Sequence, residues 1–229
     1  MNAAIIGASG LIGQLLLQKL IDSGAYHKIF MLGRRQASYA RSANTEVIYI
    51  ACQLEQLPTV VLPEQVDHGF CCLGTTIKKA ASQQAFIAVD KTAVLDFVQC
   101  CQARHYFIVT ALGANPQSCH FYNKIKGQTE QSLANMLTDK MRRGAVQSMT
   151  VFQPSLLLGK RSERRTLESL GQYLFHLLSP FFIGPLKHYQ PISIDKVASA
   201  ILNKALHSSR HHTDQLNKQL IRIANKEML

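Results

Sequence analysis

The sequence predicts an α/β fold, a doubly wound parallel sheet completed by a small, mostly helical C-terminal lobe. Three observations carry this expectation. Short apolar runs alternate with segments of helical periodicity as far as about residue 153. Three glycines, Gly7, Gly10 and Gly13, separate the first apolar run from the first helical pattern. The 229 residues suffice for one large α/β domain with a substantial core, and no internal repeat divides them. The expected organisation is a single domain over residues 1–229. Its core covers 1–153, and a lobe on the substrate side covers 154–229.

The elements follow in order. Ala3 to Ile6 reads as a buried strand. Leu11 to Ser23 reads as a helix, with Leu11, Ile12, Leu15 and Leu16 at helical spacing and Gly24 as its stop. Lys28 to Leu32 (KIFML) is a second strand, Glu46 to Ile50 (EVIYI) a third, and Gly69 to Leu73 (GFCCL) a fourth. Ser82 to Arg104 carries a helical pattern, Tyr106 to Thr110 (YFIVT) is a fifth strand, and Phe121 to Met136 is a helix. Met149 to Phe152 (MTVF) is a sixth strand, closed by QPSLLLG. Beyond Pro154 the pattern turns to helices and loops. Right-handed βαβ crossovers place the strand ends, and any ligand, along one edge of the sheet.

Composition narrows the function. The net charge of +11 comes from scattered lysines and arginines, apart from Lys160 to Arg165 (KRSERR) and a histidine-dotted tail. With no zinc knuckle, aromatic RNA-binding signature or helix-turn-helix pattern, it reads as a solvated basic surface rather than a dedicated nucleic-acid site. The apolar stretch from Leu167 to Leu186 contains Glu168, Gln172, His176, Pro180 and Pro185, too interrupted to span a bilayer. Its Leu170, Leu174, Leu177, Leu178, Phe181 and Phe182 read as a cap on the core. Cys52, Cys71, Cys72, Cys100, Cys101 and Cys119 lack metal-knuckle spacing and read as buried reduced thiols. Together with the missing secretory signal, they point to a cytoplasmic protein. His207, His211 and His212 read as an exposed helix end rather than a metal site.

The glycine turn carries the first chemistry. Gly7 permits the tight turn, Gly10 lets a diphosphate approach bare backbone, and Gly13 lets helix pack on strand. Amides at the helix start, aided by its dipole, then face the phosphate. The candidate diphosphate-binding residues are Gly7, Ser9, Gly10, Leu11, Ile12 and Gly13. At the end of the second strand an acidic residue would accept from the ribose hydroxyls of NAD. Here Gly33 is followed by Arg34 and Arg35, whose guanidinium groups fit a 2′-phosphate, so NADP (as NADPH) is favoured over NAD.

Tyr122 and Lys126 stand four apart, on one helical face. A hydride-transfer enzyme acting on a carbonyl needs a proton donor. A nearby cation lowers the pKa of a tyrosine in that role, and the same lysine reaches a ribose hydroxyl.

The glycine turn, the arginine pair, CCLGTT, VTALGANPQSCHFYNKIKG and VFQPSLLLGKR together resemble the short-chain dehydrogenase/reductase superfamily. They look most like its atypical branch of Tat-interacting-protein oxidoreductases and bacterial relatives. The resemblance runs from Ala3 to about Leu206, and PISIDKVASAIL resembles the family's late strand and helix. It implies a Rossmann-like fold, NADP binding and a Tyr/Lys active site. It also implies that Leu73, Gly74 and Thr75 run along the cofactor's ribose and diphosphate, and that Pro154 to Leu157, Leu156 included, flank the nicotinamide. Three positions depart from the family pattern. Thr110-Ala111 replaces a serine or serine pair, and Thr110 keeps a hydroxyl to orient a substrate carbonyl; Ser118 is a weaker substitute. Gln53 stands where an acidic residue would hold the adenine amino group. Gln153 replaces an arginine. Asn115 reads as a turn former.

Two functions follow. One is an NADP-dependent oxidoreductase passing hydride to a small carbonyl or activated double bond of a small-molecule substrate. The other is a non-catalytic NADPH-binding sensor or scaffold whose C-terminal lobe is read by a protein partner. Ala111 and the lack of a recognisable substrate motif speak for the second.

Overall fold

In the computed structural model, which describes residues 1–142, 144–158, 190–210 and 220–228, strands and helices alternate. The chain runs β1 (Asn2–Ile6), α1 (Leu11–Asp22), β2 (Lys28–Gly33), β3 (Glu46–Ala51), a 3₁₀ helix (Leu54–Thr59) and β4 (His68–Cys71). It continues with α2 (Ile77–Ala80), α3 (Gln83–Ile87), a π-helical turn (Ala88–Thr92), α4 (Ala93–Cys101), β5 (His105–Val109) and α5 (Phe121–Arg142). β6 (Ser148–Gln153), β7 (Leu157–Leu158), β8 (Ile192–Ser193), α6 (Ile194–Arg210), β9 (Leu220–Ala224) and α7 (Asn225–Met228) complete it. Seven strands form one sheet in the order β3-β2-β1-β4-β5-β6-β9, every pairing parallel. β7 and β8 form a separate two-stranded pair.

Period-two alternation splits the buried strand residues between two cores. Ala3, Ile5, Phe70, Phe107 and Phe152 face α1 and α6, meeting Leu16, Leu17, Val197 and Ile201. Ala4, Ile6, Cys71, Tyr106 and Ile108 face α4 and α5, meeting Phe97, Val98, Leu133 and Leu137. A parallel sheet covered on both faces explains why its strands are apolar throughout rather than alternating with polar residues.

The structure differs from the sequence expectation at four places. The helix expected over Ser82 to Arg104 breaks into α3, the π turn and α4, and Asp90 is buried within that turn. α5 runs six residues beyond Met136, because Leu137 continues its buried face. β9 adds a seventh strand where helices and loops were expected; its Leu-Ile-Arg-Ile-Ala becomes a strand through pairing with β6. Cys119 is exposed and Cys72 and Cys100 are only partly buried, so burial does not extend to all six thiols, and none of them is in a disulfide. KRSERR, the stretch from Leu167 to Leu186 with its apolar cluster, His211 and His212 lie outside the described residues. His207 is exposed on α6, its Nδ1 2.7 Å from the Asn203 carbonyl. No described helix is long and apolar enough to cross a membrane.

Candidate active site

The strand order reverses between β1 and β4, and the C-terminal ends of all seven strands share one edge. Gly7 follows β1, Arg34 follows β2, Gly74 stands just past β4, Thr110 follows β5 and Pro154 follows β6. This is the crevice in which open α/β sheets bind ligands.

The glycine turn is shaped by contact as well as by conformation. Gly7 has φ +80°, and a Cβ built there would lie 2.6 Å from the Cys72 carbonyl carbon. A Cβ on Gly13 would lie 2.2 Å from the Gly7 carbonyl oxygen. Gly10 differs: its nearest such neighbour is 3.2 Å away and it faces outward. α1 starts at Gly10 with no side-chain cap and no acidic residue in its first turn. Its first amides therefore meet neither a capping oxygen nor a carboxylate, and the bare Gly10 backbone leaves room for an anion. The residues present fit a dinucleotide diphosphate. Ser9 is exposed, Leu11 partly buried and Ile12 buried beneath them.

At the end of β2, Arg34 and Arg35 are both exposed. Tyr49 from β3 donates to the Gly33 carbonyl at 2.9 Å and braces the preceding residue. Gln53 starts the 3₁₀ helix, its amide held at 2.7 Å by the Gln56 side-chain oxygen, and its own side chain is exposed.

Past β4, Leu73, Gly74 and Thr75 lead into α2, where the Thr76 hydroxyl caps the Lys79 amide at 3.2 Å. This turn lies over a buried ion pair. Lys126 Nζ is 2.7 Å from Asp90 Oδ1, with side-chain exposures of 3% and 0%. Thr75 N donates to Asp90 Oδ2 at 2.9 Å. Sequence reasoning missed Asp90 because it lies inside an apparently regular helical pattern. A π insertion is a frequent mark of functional sites, but its hydrogen bonding is not visible in sequence.

Tyr122 is partly buried on α5, its ring 5.5 Å from that of Phe86. Burial pushes its phenol above the ordinary tyrosine range; Lys126 pulls it down and Asp90 pushes it up. Lys126 thus acts in the expected direction, but burial wins and the net shift is upward. The loop between β5 and α5 packs across the helix at Gly127, where a Cβ would lie 2.2 Å from the Asn115 carbonyl carbon. Asn115 Oδ1 accepts from Gln117 N at 2.9 Å, a local turn as expected. Ser118 Oγ accepts from His120 N at 3.2 Å.

Thr110, expected to orient a substrate carbonyl, has its hydroxyl engaged within the protein. Thr110 is buried and its hydroxyl donates to Glu130 Oε1 at 2.7 Å. A hydroxyl has one proton, and this one is directed into α5 rather than toward a substrate carbonyl. Ala111, next along the chain, is buried and its side chain offers no donor. Glu130 also receives Gln153 Nε2 at 2.8 Å and Arg222 Nε at 2.9 Å. Gln153, which stands where the family pattern has an arginine, thus shares the Glu130 carboxylate with Arg222 from β9, a pairing invisible in a motif. Pro154 is buried and Leu156 is 70% exposed. The intervening Ser155 amide donates to Asn225 Oδ1 at 3.0 Å, tying this stretch to α7.

No protein-family model matches the chain. Individual proteins do. The rat protein HTATIP2 is 31% identical over 175 residues, 75% of this chain and 69% of its own length. This chain belongs to the atypical short-chain dehydrogenase/reductase family. Protein FMP52, mitochondrial, of Kluyveromyces lactis is 25% identical over 235 residues, 99% of this chain and all of its own. Among solved structures, a short-chain dehydrogenase/reductase family oxidoreductase from Burkholderia thailandensis superposes with a TM-score of 0.68 at 20% identity, covering 99% and 92% of the two chains. A 3-oxoacyl-[acyl-carrier protein] reductase from Brucella melitensis, solved with NAD, reaches 0.69 at 10% identity, covering 99% and 96%. These structures establish the Rossmann-like fold. The family's members overturn the cytoplasmic expectation, since several relatives are named as mitochondrial proteins. Reduced thiols mark a reducing environment and do not identify one compartment.

Proposed function

We propose that the protein is an NADP-dependent oxidoreductase that reduces a small carbonyl or activated double bond, with Tyr122 as proton donor. The observation that carries this reading is a buried ammonium, Lys126, one helical turn from a protonated phenol at the ligand-binding edge of the sheet. A reduced nicotinamide held at this edge would supply a hydride to the carbonyl carbon. The π pair would move to oxygen, and Tyr122 would give its proton to that oxygen. The resulting phenolate recovers a proton from water. Lys126 holds a ribose hydroxyl and steadies the phenolate. Arg34 and Arg35 pair with the 2′-phosphate. Gly7, Ser9, Gly10, Leu11, Ile12 and Gly13 receive the diphosphate, while Gln53, Leu73, Gly74, Thr75, Pro154 and Leu156 line the rest of the dinucleotide. Tyr122→Phe should abolish NADPH oxidation across a panel of aldehydes and ketones while leaving NADPH affinity within about threefold. Unchanged turnover in that variant removes the assignment.

One observation supports a second reading, a non-catalytic NADPH sensor. Thr110 directs its proton to Glu130, and Ala111 has none to offer. Under this reading the wild-type protein binds NADPH but oxidises it with no carbonyl in the panel. Capture of a protein partner then depends on NADPH occupancy.

A further inference from the structure

Asp90 is fully buried, with a partner at each carboxylate oxygen. Its carboxylate pairs with Lys126 through Oδ1 at 2.7 Å and accepts the Thr75 amide through Oδ2 at 2.9 Å. Its main-chain carbonyl accepts from Thr129 Oγ1 at 3.0 Å. The next residue, Lys91, donates from Nζ to Gln128 Oε1 at 3.2 Å. The π turn is therefore fastened to α5 at Lys126, Gln128 and Thr129. A Cβ built on Gly74 would lie 3.7 Å from Asp90 Oδ1 and 3.8 Å from Lys126 Nζ, so the turn past β4 rests directly on the pair.

Among the described residues this is the only ion pair buried on both sides; each other pair has a partner more than a quarter exposed. Burying two charges costs several kcal/mol in desolvation, about what their attraction returns, so the pair is a weak source of stability. What it supplies is placement. The 2.7 Å approach to Oδ1 lacks hydrogen-bond alignment, and Oδ1 has no aligned donor.

We propose that Asp90 is a positioning residue, which anchors the Gly74–Thr75 turn with one carboxylate oxygen and with the other holds the Lys126 ammonium charged and aimed at the dinucleotide site. This rests on the oxidoreductase reading, in which Lys126 meets a ribose hydroxyl. The groups that share its field are Tyr122 on the same helix and Cys71 at the end of β4. Cys71 is buried and its thiol is pushed up to about 12, so it remains neutral beside the pair. Phe86 and Phe121 add only apolar rings around Tyr122.

The experiment is a double-mutant cycle on NADPH binding, measured calorimetrically on the full chain at pH 7 and pH 9. Asp90→Asn keeps an acceptor for Thr75 N but removes the counter-charge, and a buried ammonium without one sheds its proton more readily. Asp90→Asn should weaken NADPH by about tenfold at pH 7, and by more at pH 9, relative to wild type at the same pH. In a Lys126→Met background the same substitution should change affinity by less than about twofold. Equal losses in the two backgrounds, or no pH slope in Asp90→Asn, overturn the proposal. Should Asp90→Asn fail to fold, Asp90→Glu takes its place. It keeps the charge but displaces the ammonium, so it should weaken NADPH at least about threefold with Lys126 present, without a pH slope. No loss, or an equal loss with Lys126→Met, again overturns it. If wild type takes up no NADPH, the oxidoreductase reading itself fails; if wild type binds and the cycle shows no coupling, only the role of Asp90 fails.

Discussion

Thr110 Oγ1 donates to Glu130 Oε1 across 2.7 Å of buried space, joining the end of β5 to the middle of α5. Gln153 from β6 and Arg222 from β9 complete the shell around the same carboxylate. One glutamate thus fastens three strands and a helix beside the candidate site. Glu130→Ala would leave a buried hydroxyl, a partly buried amide and a half-exposed guanidinium without their acceptor. It should cost about 3 kcal/mol in urea denaturation. Thr110→Val removes one of several donors and should cost about 1 kcal/mol. Because the hydroxyl proton goes to Glu130, Thr110→Val should keep kcat for carbonyl reduction within about tenfold. A loss as deep as that of Tyr122→Phe would restore Thr110 as a donor to substrate.

The three glycines of the first turn should separate by phenotype. Gly13→Ala forces a methyl to 2.2 Å from a carbonyl oxygen and should lower stability by more than about 3 kcal/mol. Gly7→Ala adds an unfavourable φ to a 2.6 Å contact and should be equally damaging. Gly10→Ala meets its nearest neighbour at 3.2 Å, so its folding cost should stay near 1 kcal/mol. Its NADPH affinity should fall at least about tenfold, because the methyl would occupy the place proposed for the diphosphate against the backbone. Thermal melts with and without NADPH measure both effects. Normal dinucleotide binding by Gly10→Ala would remove this turn from the site.

The arginine pair makes a prediction about cofactor choice. Arg34→Ala with Arg35→Ala should weaken NADPH by at least about tenfold and NADH by less than about twofold, since only NADPH carries the 2′-phosphate. The difference should shrink with added salt, because both side chains are exposed. Equal losses for the two dinucleotides would show that the pair does not read the phosphate.

Acid should expose a weak point far from the ligand edge. His68 is buried at the start of β4, with the Tyr26 hydroxyl 2.7 Å from Nδ1. Burial above all lowers its pKa to about 3; His105 and the N-terminal ammonium lower it further, and Asp67 opposes them. The unfolded chain takes up this proton near pH 6.5 and the folded chain does not. The contribution of His68 to stability is therefore complete above pH 6.5. It is lost as pH falls toward 3, at a slope approaching about 1.4 kcal/mol per pH unit. Urea midpoints between pH 7.5 and 4.5 should fall in wild type and fall less steeply in His68→Gln. Identical slopes would assign the acid sensitivity to other groups.

The sequence by itself determined the parallel sheet through β6, the glycine turn, and the helix that carries Tyr122 and Lys126. Each is encoded locally, by apolar runs, by glycines at fixed offsets, or by residues four apart on one helix. It also located the late strand and helix at Ile192–Ser193 and Ile194–Arg210. Tertiary structure decided what these groups do to one another. Asp90 reaches Lys126 across 36 residues of chain and Arg222 reaches Glu130 across 92, and no spacing rule records such pairings. Thr110 looked like a spare hydroxyl because its partner, twenty residues on, becomes a neighbour only when α5 packs beside β5. β9 became a strand only because β6 offered it an unpaired edge, which short-range pattern cannot foresee. Local patterning fixes where backbone goes, whereas the environment of a charge or proton is set by whatever the fold brings within about 3 Å of it.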